Sequence, residues 1–237
     1  MKNFNIFSLL AFVVSFYSLM ANAALTLNAD RLVYNAKDGD ASVTVHSDES
    51  RAYLVQAWVD DGDNQTQKKL PFVTTPPLFR LAPKSDNVIR VLYTGNGLPQ
   101  DRESLFWLNV KGVPGLSDDE SQIENRMVIA INNRIKLFFR PEGLQGSSVD
   151  AIQKLTWTHN GKIVKVQNNT AFYAVLGSIQ IGSENIKVDV VKNNTVIPPY
   201  GYQTYEMKNN VSPQTMVAWD GITEFGGTTE KFKKTVE

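Results

Sequence analysis

"NRMVIAINNRIKLFFRP", residues 125 to 141, carries the pattern that decides the fold. Met127, Ile129, Ile131, Ile135, Leu137 and Phe139 share one parity, so an extended chain holds them on one face. Arg126, Arg134, Lys136 and Arg140 take the other. That alternation predicts a β-strand, yet strands ordinarily run to about 5–6 residues. A long apolar strand at a sheet edge invites pairing with another chain. The length of this one needs a reason.

The period of two extends outward from this stretch. "LTLNADRLVY" (25–34), "ASVTVHS" (41–47), "AYLVQAWVD" (52–60), "NVIRVLYT" (87–94) and "LFWLNVKGV" (105–113) are rich in aliphatic, Thr and aromatic residues. Turn signals separate them: "KDGD" (37–40), "DDGDNQ" (60–65), "TTPPLFRLAP" (74–83), "GNGLPQD" (95–101) and "PGLSDDESQ" (114–122). Such spacing suits an antiparallel sandwich. "RPEGLQGSSVD" (140–150) breaks the apolar pattern and suggests a boundary, with one domain over 24–143 and a second over 144–237. In the second, "KLTWTHNGKIVKVQNNT" reads as a hairpin turning at Asn160-Gly161. "YAVLGSIQI", "IKVDVVKN", "TYEMKN" and "TMVAWDGITEF" supply further strands, the tail "GGTTEKFKKTVE" is polar, and no long helical periodicity is present. The fold class is all-β, with one large sandwich or two smaller ones open on length alone.

The N-terminus predicts export. Lys2, the apolar run from Ile6 to Met20 and the small-residue site Ala21-Asn22-Ala23 form the layout of a secretory signal peptide, cleaved after Ala23. The run is short for a membrane span, which takes roughly 20 apolar residues. Removing Lys2 leaves the mature chain one unit negative, with no basic field for nucleic acid or polybasic lipid anchor. Cysteine is absent, which excludes thiol nucleophiles, disulfides and thiolate metal sites.

Catalytic patterns are also missing. His46 and His159 share no metal-ligand spacing, and "GNGLPQ" lacks the setting of a dinucleotide loop. The acids Asp60, Asp61 and Asp63, like Asp118, Asp119 and Glu120, fall in turns where solvation explains them. The sequon Asn168-Asn169-Thr170 matters only in a glycosylating pathway. No enzyme, cofactor, metal or small-molecule substrate is expected.

"LPQDRESLFWLNVKGVP" (98–114) is the most specific segment, and it resembles the signature of periplasmic pilus chaperones. That signature runs as an apolar residue, Pro, x, Asp, a basic or polar residue, Glu, Ser, apolar, x, aromatic, x, Asn, apolar, two residues, apolar, Pro, and every fixed position matches. Gly115 departs from it, standing where the family usually has Pro, Ala or Ser. "LTLNADRLVY", "YLVQAWVDDGD", "FVTTPPLFRLAP" and "NRIKLFFRP" resemble further family strands and the Pro-Pro turn, and "ITEFGG" (222–227) resembles Ile-Asn-Asp-Tyr-Gly-Gly, with Glu224 for Asp. The short Val113-to-Asn125 segment and the lack of a cysteine pair are similar to the short-loop class, which serves rod-like pili.

The resemblance implies two immunoglobulin-like sandwiches set as a boomerang. It implies that the long strand is a donor strand: Met127, Ile129 and Ile131 enter the groove of an incomplete pilin sandwich, a mode known as donor-strand complementation. Arg31 and Lys136 match two basic residues that hold the pilin's C-terminal carboxylate, and Glu103, Arg140 and Glu224 match an interdomain ion-pair network. The implied partners are pilin subunits and an outer-membrane usher, and the implied compartment is the periplasm. Self-association of the free chain through its exposed strand is a further expectation. Two other readings are a pilin subunit, which would usually show a free alternating N-terminal extension and a disulfide, and a sandwich hydrolase or copper/zinc enzyme.

Overall fold

The alternating segments between Leu25 and Arg140 pair into two facing sheets in the computed structural model, which describes residues 25–62, 70–95, 97–116, 120, 122, 124–189 and 194–237. The expected signal segment lies outside the described residues, as do Asp63, Asp118, Asp119 and 190–193. The strands are β1 (Thr26–Leu27), β2 (Arg31–Asn35), β3 (Asp40–Ser47), β4 (Tyr53–Asp60), β5 (Phe72–Thr75), β6 (Leu78–Leu81), β7 (Ser85–Tyr93), β8 (Ser104–Pro114) and β9 (Ile131–Arg140). One sheet has the order β1-β3-β7-β5 and the other β2-β9-β8-β4-β6. Inward residues such as Val43, Val45, Val55, Ile89, Val91, Leu108, Val110 and Leu137 interlock between them. The burial alternates along stretches of β3, β4 and β7, which is why period two was visible in the sequence.

After Arg140 a second sandwich forms. It contains a short helix α1 (Ser148–Gln153), then β10 (Thr156–Asn160), β11 (Ile163–Gln167), β12 (Ala174–Ile181), β13 (Glu184–Ile186), β14 (Val196–Ile197), β15 (Tyr202–Glu206), β16 (Met216–Gly221) and β17 (Phe232–Thr235). The sheet orders are β10-β11-β15 and β13-β12-β16-β17, with β14 also on β12. Their separate core holds Trp157, Val164, Leu176, Ile179, Val217 and Trp219, closed by Ala151 and Ile152 of α1.

Several local expectations are corrected. The boundary segment 140–150 runs into α1: Ser147 Oγ caps it by accepting from the Asp150 N–H at 3.1 Å, which starts a helix too short to show periodicity. "TTPPLFRLAP" carries β5 and β6 on either side of Pro76-Pro77, and the polar tail contributes β17, an edge strand needing few apolar residues. "LTLNADRLVY" is two strands, because β1 pairs β3 in one sheet while β2 pairs β9 in the other. The hairpin turn is Gly161-Lys162, one residue later than expected; Asn160 closes the last pair with Ile163, and Gly161 supplies the left-handed φ of +59°. The predicted long strand begins its ladder only at Ile131, since its partner β8 reaches Gly112 opposite Ile131 and then pairs with β4 alone.

Asn168 is a structural hub rather than a surface sequon. Its side chain is fully buried, donates to the carbonyls of Phe172 at 2.7 Å and Pro198 at 3.1 Å, and accepts from the Thr170 N–H and hydroxyl. Those bonds fix the turn next to the contact between the two sandwiches.

Candidate functional site

The position of β2 creates the first feature of the site. It pairs in parallel with β9 from Arg31 opposite Lys136 to Asn35 opposite Arg140, and begins no earlier. Residues 131–135 of β9 bond to β8 on one side, while among the described residues no strand covers their other side. An open row of backbone N–H and C=O groups therefore starts where Arg31 and Lys136 stand. Towards the N-terminus it continues into residues 126–130, which lie outside any ladder. Met127, Ile129 and Ile131 are 85%, 67% and 46% exposed, an unusual row of uncovered apolar side chains.

Leu32 and Tyr34 point into the core, which turns Arg31 to the opposite face together with Lys136, Phe138 and Arg140. Arg31 is nonetheless buried at 7% exposure. Its Nε and one terminal nitrogen donate to the two oxygens of Asp30 at 3.2 and 3.1 Å, and its other terminal nitrogen donates to the Ile222 carbonyl at 3.3 Å. Lys136 lies over the Trp107 ring at 5.2 Å, beside Arg134 at 4.5 Å from the same ring. Burial and the neighbouring Arg31 charge push the Lys136 ammonium below the ordinary lysine range, with Asp30 opposing them. Asp30 is held low by its hydrogen bond from Arg31. A cleft of about 680 Å³ opens here, lined among others by Asp30, Arg31, Arg140, Glu224, Phe225 and Gly226. Its charged lining balances, Asp30 against Arg31 and Glu224 against Arg140, so the surplus positive charge at the end of the open strand edge is that of Lys136 beside it.

The junction of the two sandwiches forms its wall. Arg140 Nε donates to Glu103 at 2.8 Å and its terminal nitrogen to Glu224 of the second sandwich at 2.7 Å. The other Glu103 oxygen accepts from the Tyr173 N–H at 2.8 Å, and the Glu103 N–H donates to the Ala171 carbonyl at 2.9 Å. Burial raises the Glu103 carboxyl above its usual range despite the Tyr173 N–H and Arg140. Arg140 is shifted upward: its own burial opposes this, but the charges of Glu103 and Glu224 outweigh it. Phe138 and Tyr173 meet with ring centroids 5.5 Å apart, and Arg140 lies 5.2 Å from the Phe172 ring.

Thus Arg31 and Lys136 come together in register, and Glu103, Arg140 and Glu224 form a second cluster beside them. Met127, Ile129 and Ile131 stand apart, along the limb that leads away. Phe138, Asp30 and Phe225 were not singled out from the sequence. Phe138 was detectable, because "LFF" (137–139) breaks the alternation and so signals burial of both faces. Gly115 donates its N–H to the Ala52 carbonyl at 2.8 Å, a bond that proline cannot make, and a Cβ there would lie 3.1 Å from that oxygen. His46 sits between Asp48 and Asp86, while His159 is on β10 of the other sandwich. Among the described residues no group of three or more His, Cys, Asp or Glu is placed to hold a metal.

Comparison with known proteins gives this geometry a context. Residues 24–145 match the sequence model of the pili and flagellar-assembly chaperone, PapD N-terminal domain, and 150–233 that of the pili assembly chaperone PapD, C-terminal domain. The probable fimbrial chaperone LpfB of Escherichia coli O157:H7 is 35% identical over 212 residues, covering 89% of this chain and 88% of that protein. A chain of the Salmonella enterica SafA pilin complex with the SafB chaperone superposes with a TM-score of 0.74 at 30% identity, covering 90% of this chain and 96% of its own. The periplasmic chaperone SfaE matches with a TM-score of 0.69 at 29% identity, over 88% of this chain and 98% of its own. Both sandwiches are accounted for by these matches, and the chain belongs to the family of pilus-assembly chaperones, which are not enzymes.

Proposed function

We propose that this chaperone works in the periplasm, after signal-peptide cleavage following Ala23, by adding Met127, Ile129 and Ile131 to an incomplete pilin sandwich while Arg31 and Lys136 hold the pilin's C-terminal carboxylate. The pilin then passes to an outer-membrane usher. The observation that carries this reading is the coincidence of the open edge of β9 with the basic pair at its end. A chain that lies along that edge and ends on the cations runs parallel to β9. At about 3.3 Å per residue, Ile131 is about 17 Å and Met127 about 30 Å from Lys136, the reach of one ordinary strand and its approach. The apolar row supplies affinity, and the carboxylate anchor fixes register, since a slip of one residue turns every apolar side chain outward. The Arg140 cluster holds the two sandwiches at the angle that forms the cleft. When no pilin is present, the same edge pairs with a second copy of the chain, so free protein forms dimers as concentration rises.

The test is capture from periplasmic extract of the host by tagged mature protein, beside the Arg31→Ala, Lys136→Ala double variant. Each charge-assisted bond to a carboxylate is worth about 1.5–3 kcal/mol, so the variant is expected to lose the small β-rich subunits that the wild type retains. Equal capture by both sinks the anchor assignment.

A further inference from the structure

We infer that Asp30 is an internal carboxylate that tempers the anchor, holding part of Arg31 so that a guest carboxylate is bound less tightly than two bare cations would bind it. This rests on the reading of Arg31 and Lys136 as the anchor. A guanidinium has five N–H groups in a planar fork. Asp30 takes the Nε side of that fork through both of its oxygens, and the Ile222 carbonyl takes one N–H at the far side. Two N–H groups remain, enough for one further carboxylate in the bidentate manner of arginine.

The charge count agrees with that geometry. Arg31, Lys136 and Asp30 together leave one positive charge, and a single guest carboxylate neutralises it. Lys136 has no carboxylate within salt-bridge distance among the described residues. Glu224 lines the same cleft but is bonded to Arg140. The Asp30 carboxylate also lies close to the second sandwich: a Cβ on Gly226 would come 3.2 Å from its oxygen, and Gly226 holds a left-handed φ of +80° that disfavours any side chain there. Asp30 thereby stands between Arg31 and the 222–226 loop, close enough for its charge to oppose an arriving carboxylate. An anchor that has to release its guest gains from such a built-in competitor, because it lowers affinity without removing the donors that set register.

The test uses the mature chain and a synthetic strand peptide of alternating apolar and polar residues, made with a free C-terminal carboxylate and as its amide, with dissociation constants read by fluorescence anisotropy at low salt. Asp30 is more than half exposed, so Asp30→Asn is expected to tighten binding of the free acid about two- to fivefold. Binding of the amide should not move, and Asp30→Glu should restore the wild-type value. A second readout is the Lys136 titration followed by carbon-13 NMR, which Asp30→Asn should shift downward. If Asp30→Asn leaves the acid unchanged or weakens it while wild type still prefers acid over amide, the inference falls and the anchor stands. If wild type binds acid and amide equally, and Arg31→Ala with Lys136→Ala changes nothing, both fall.

Discussion

Replacing Ile129 by Thr tests whether the exposed row exists for a partner and not for the fold. In the free protein the Ile129 side chain is 67% exposed and belongs to neither core. Fully burying an isoleucine contributes roughly 1.5–3 kcal/mol, so about two thirds of that, 1–2 kcal/mol, is available only when a pilin covers it. Threonine keeps the β-branch and hence the preference for an extended backbone, so the change removes the apolar contact and little else. Affinity for a pilin subunit should fall about five- to thirtyfold, measured by competition between wild type and variant for one purified subunit. The thermal midpoint of the free chaperone should stay where it is. Leu137, fully buried on β9 further along the chain, supplies the contrast, since Leu137→Ala costs about 2–5 kcal/mol of stability. Unchanged subunit affinity in Ile129→Thr, or a midpoint that drops as for a core residue, would refute the division of the 126–140 segment into a binding part and a folding part.

Other outcomes follow from the same geometry. The raised Glu103 carboxyl contributes stability that is present below its unfolded pKa and lost as pH rises through the folded value; wild type should therefore gain on Glu103→Gln as pH falls from 7 towards 4, read from paired urea titrations. His46, raised by its hydrogen bonds to Asp86 and Asp48, follows the same sign: any advantage over His46→Gln is present below about pH 6.5 and disappears as pH climbs past the folded pKa, which a histidine NMR titration locates. Asn168→Ala takes the acceptor from the Thr170 N–H and one donor each from the Phe172 and Pro198 carbonyls, which keep the Thr170 hydroxyl and the Gly201 N–H; the group left unsatisfied costs about 1–3 kcal/mol, and calorimetry should show the loss in the second sandwich.

How much of this was legible in the sequence depended on whether a residue's surroundings were local. Parity alone placed Ile135, Leu137 and Phe139 in the core and Lys136 outside it, because the side chains of a strand alternate whatever it packs on. Parity could not tell that Met127 and Ile129 lie beyond the ladder, since that depends on where β8 turns away towards β4. The division of "LTLNADRLVY" between two sheets was invisible for the same reason: its apolar residues alternate through a switch of partners. The α1 helix shows one turn of burial and a cap, too little for a period of 3.6 to stand out. Asp30 could be read as a neighbour of Arg31, but its closeness to Gly226 joins positions far apart in sequence.

The start of β2 does two jobs at once. Because β2 begins at Arg31, the ladder on that side of β9 stops there, and the open edge begins at the residue pair that carries the cations. In the proposed binding mode, a chain end arriving along the open edge halts where β2 blocks it, and there it meets a buried guanidinium already oriented by Asp30 and the Ile222 carbonyl. Steric stop and charge anchor therefore coincide without separate elements to align them. Moving β2 by one residue relative to β9 would take Arg31 from beside Lys136 and turn Leu32 and Tyr34 out of the core. The packing that keeps those two side chains buried is thus also what holds the anchor in register with the apolar row.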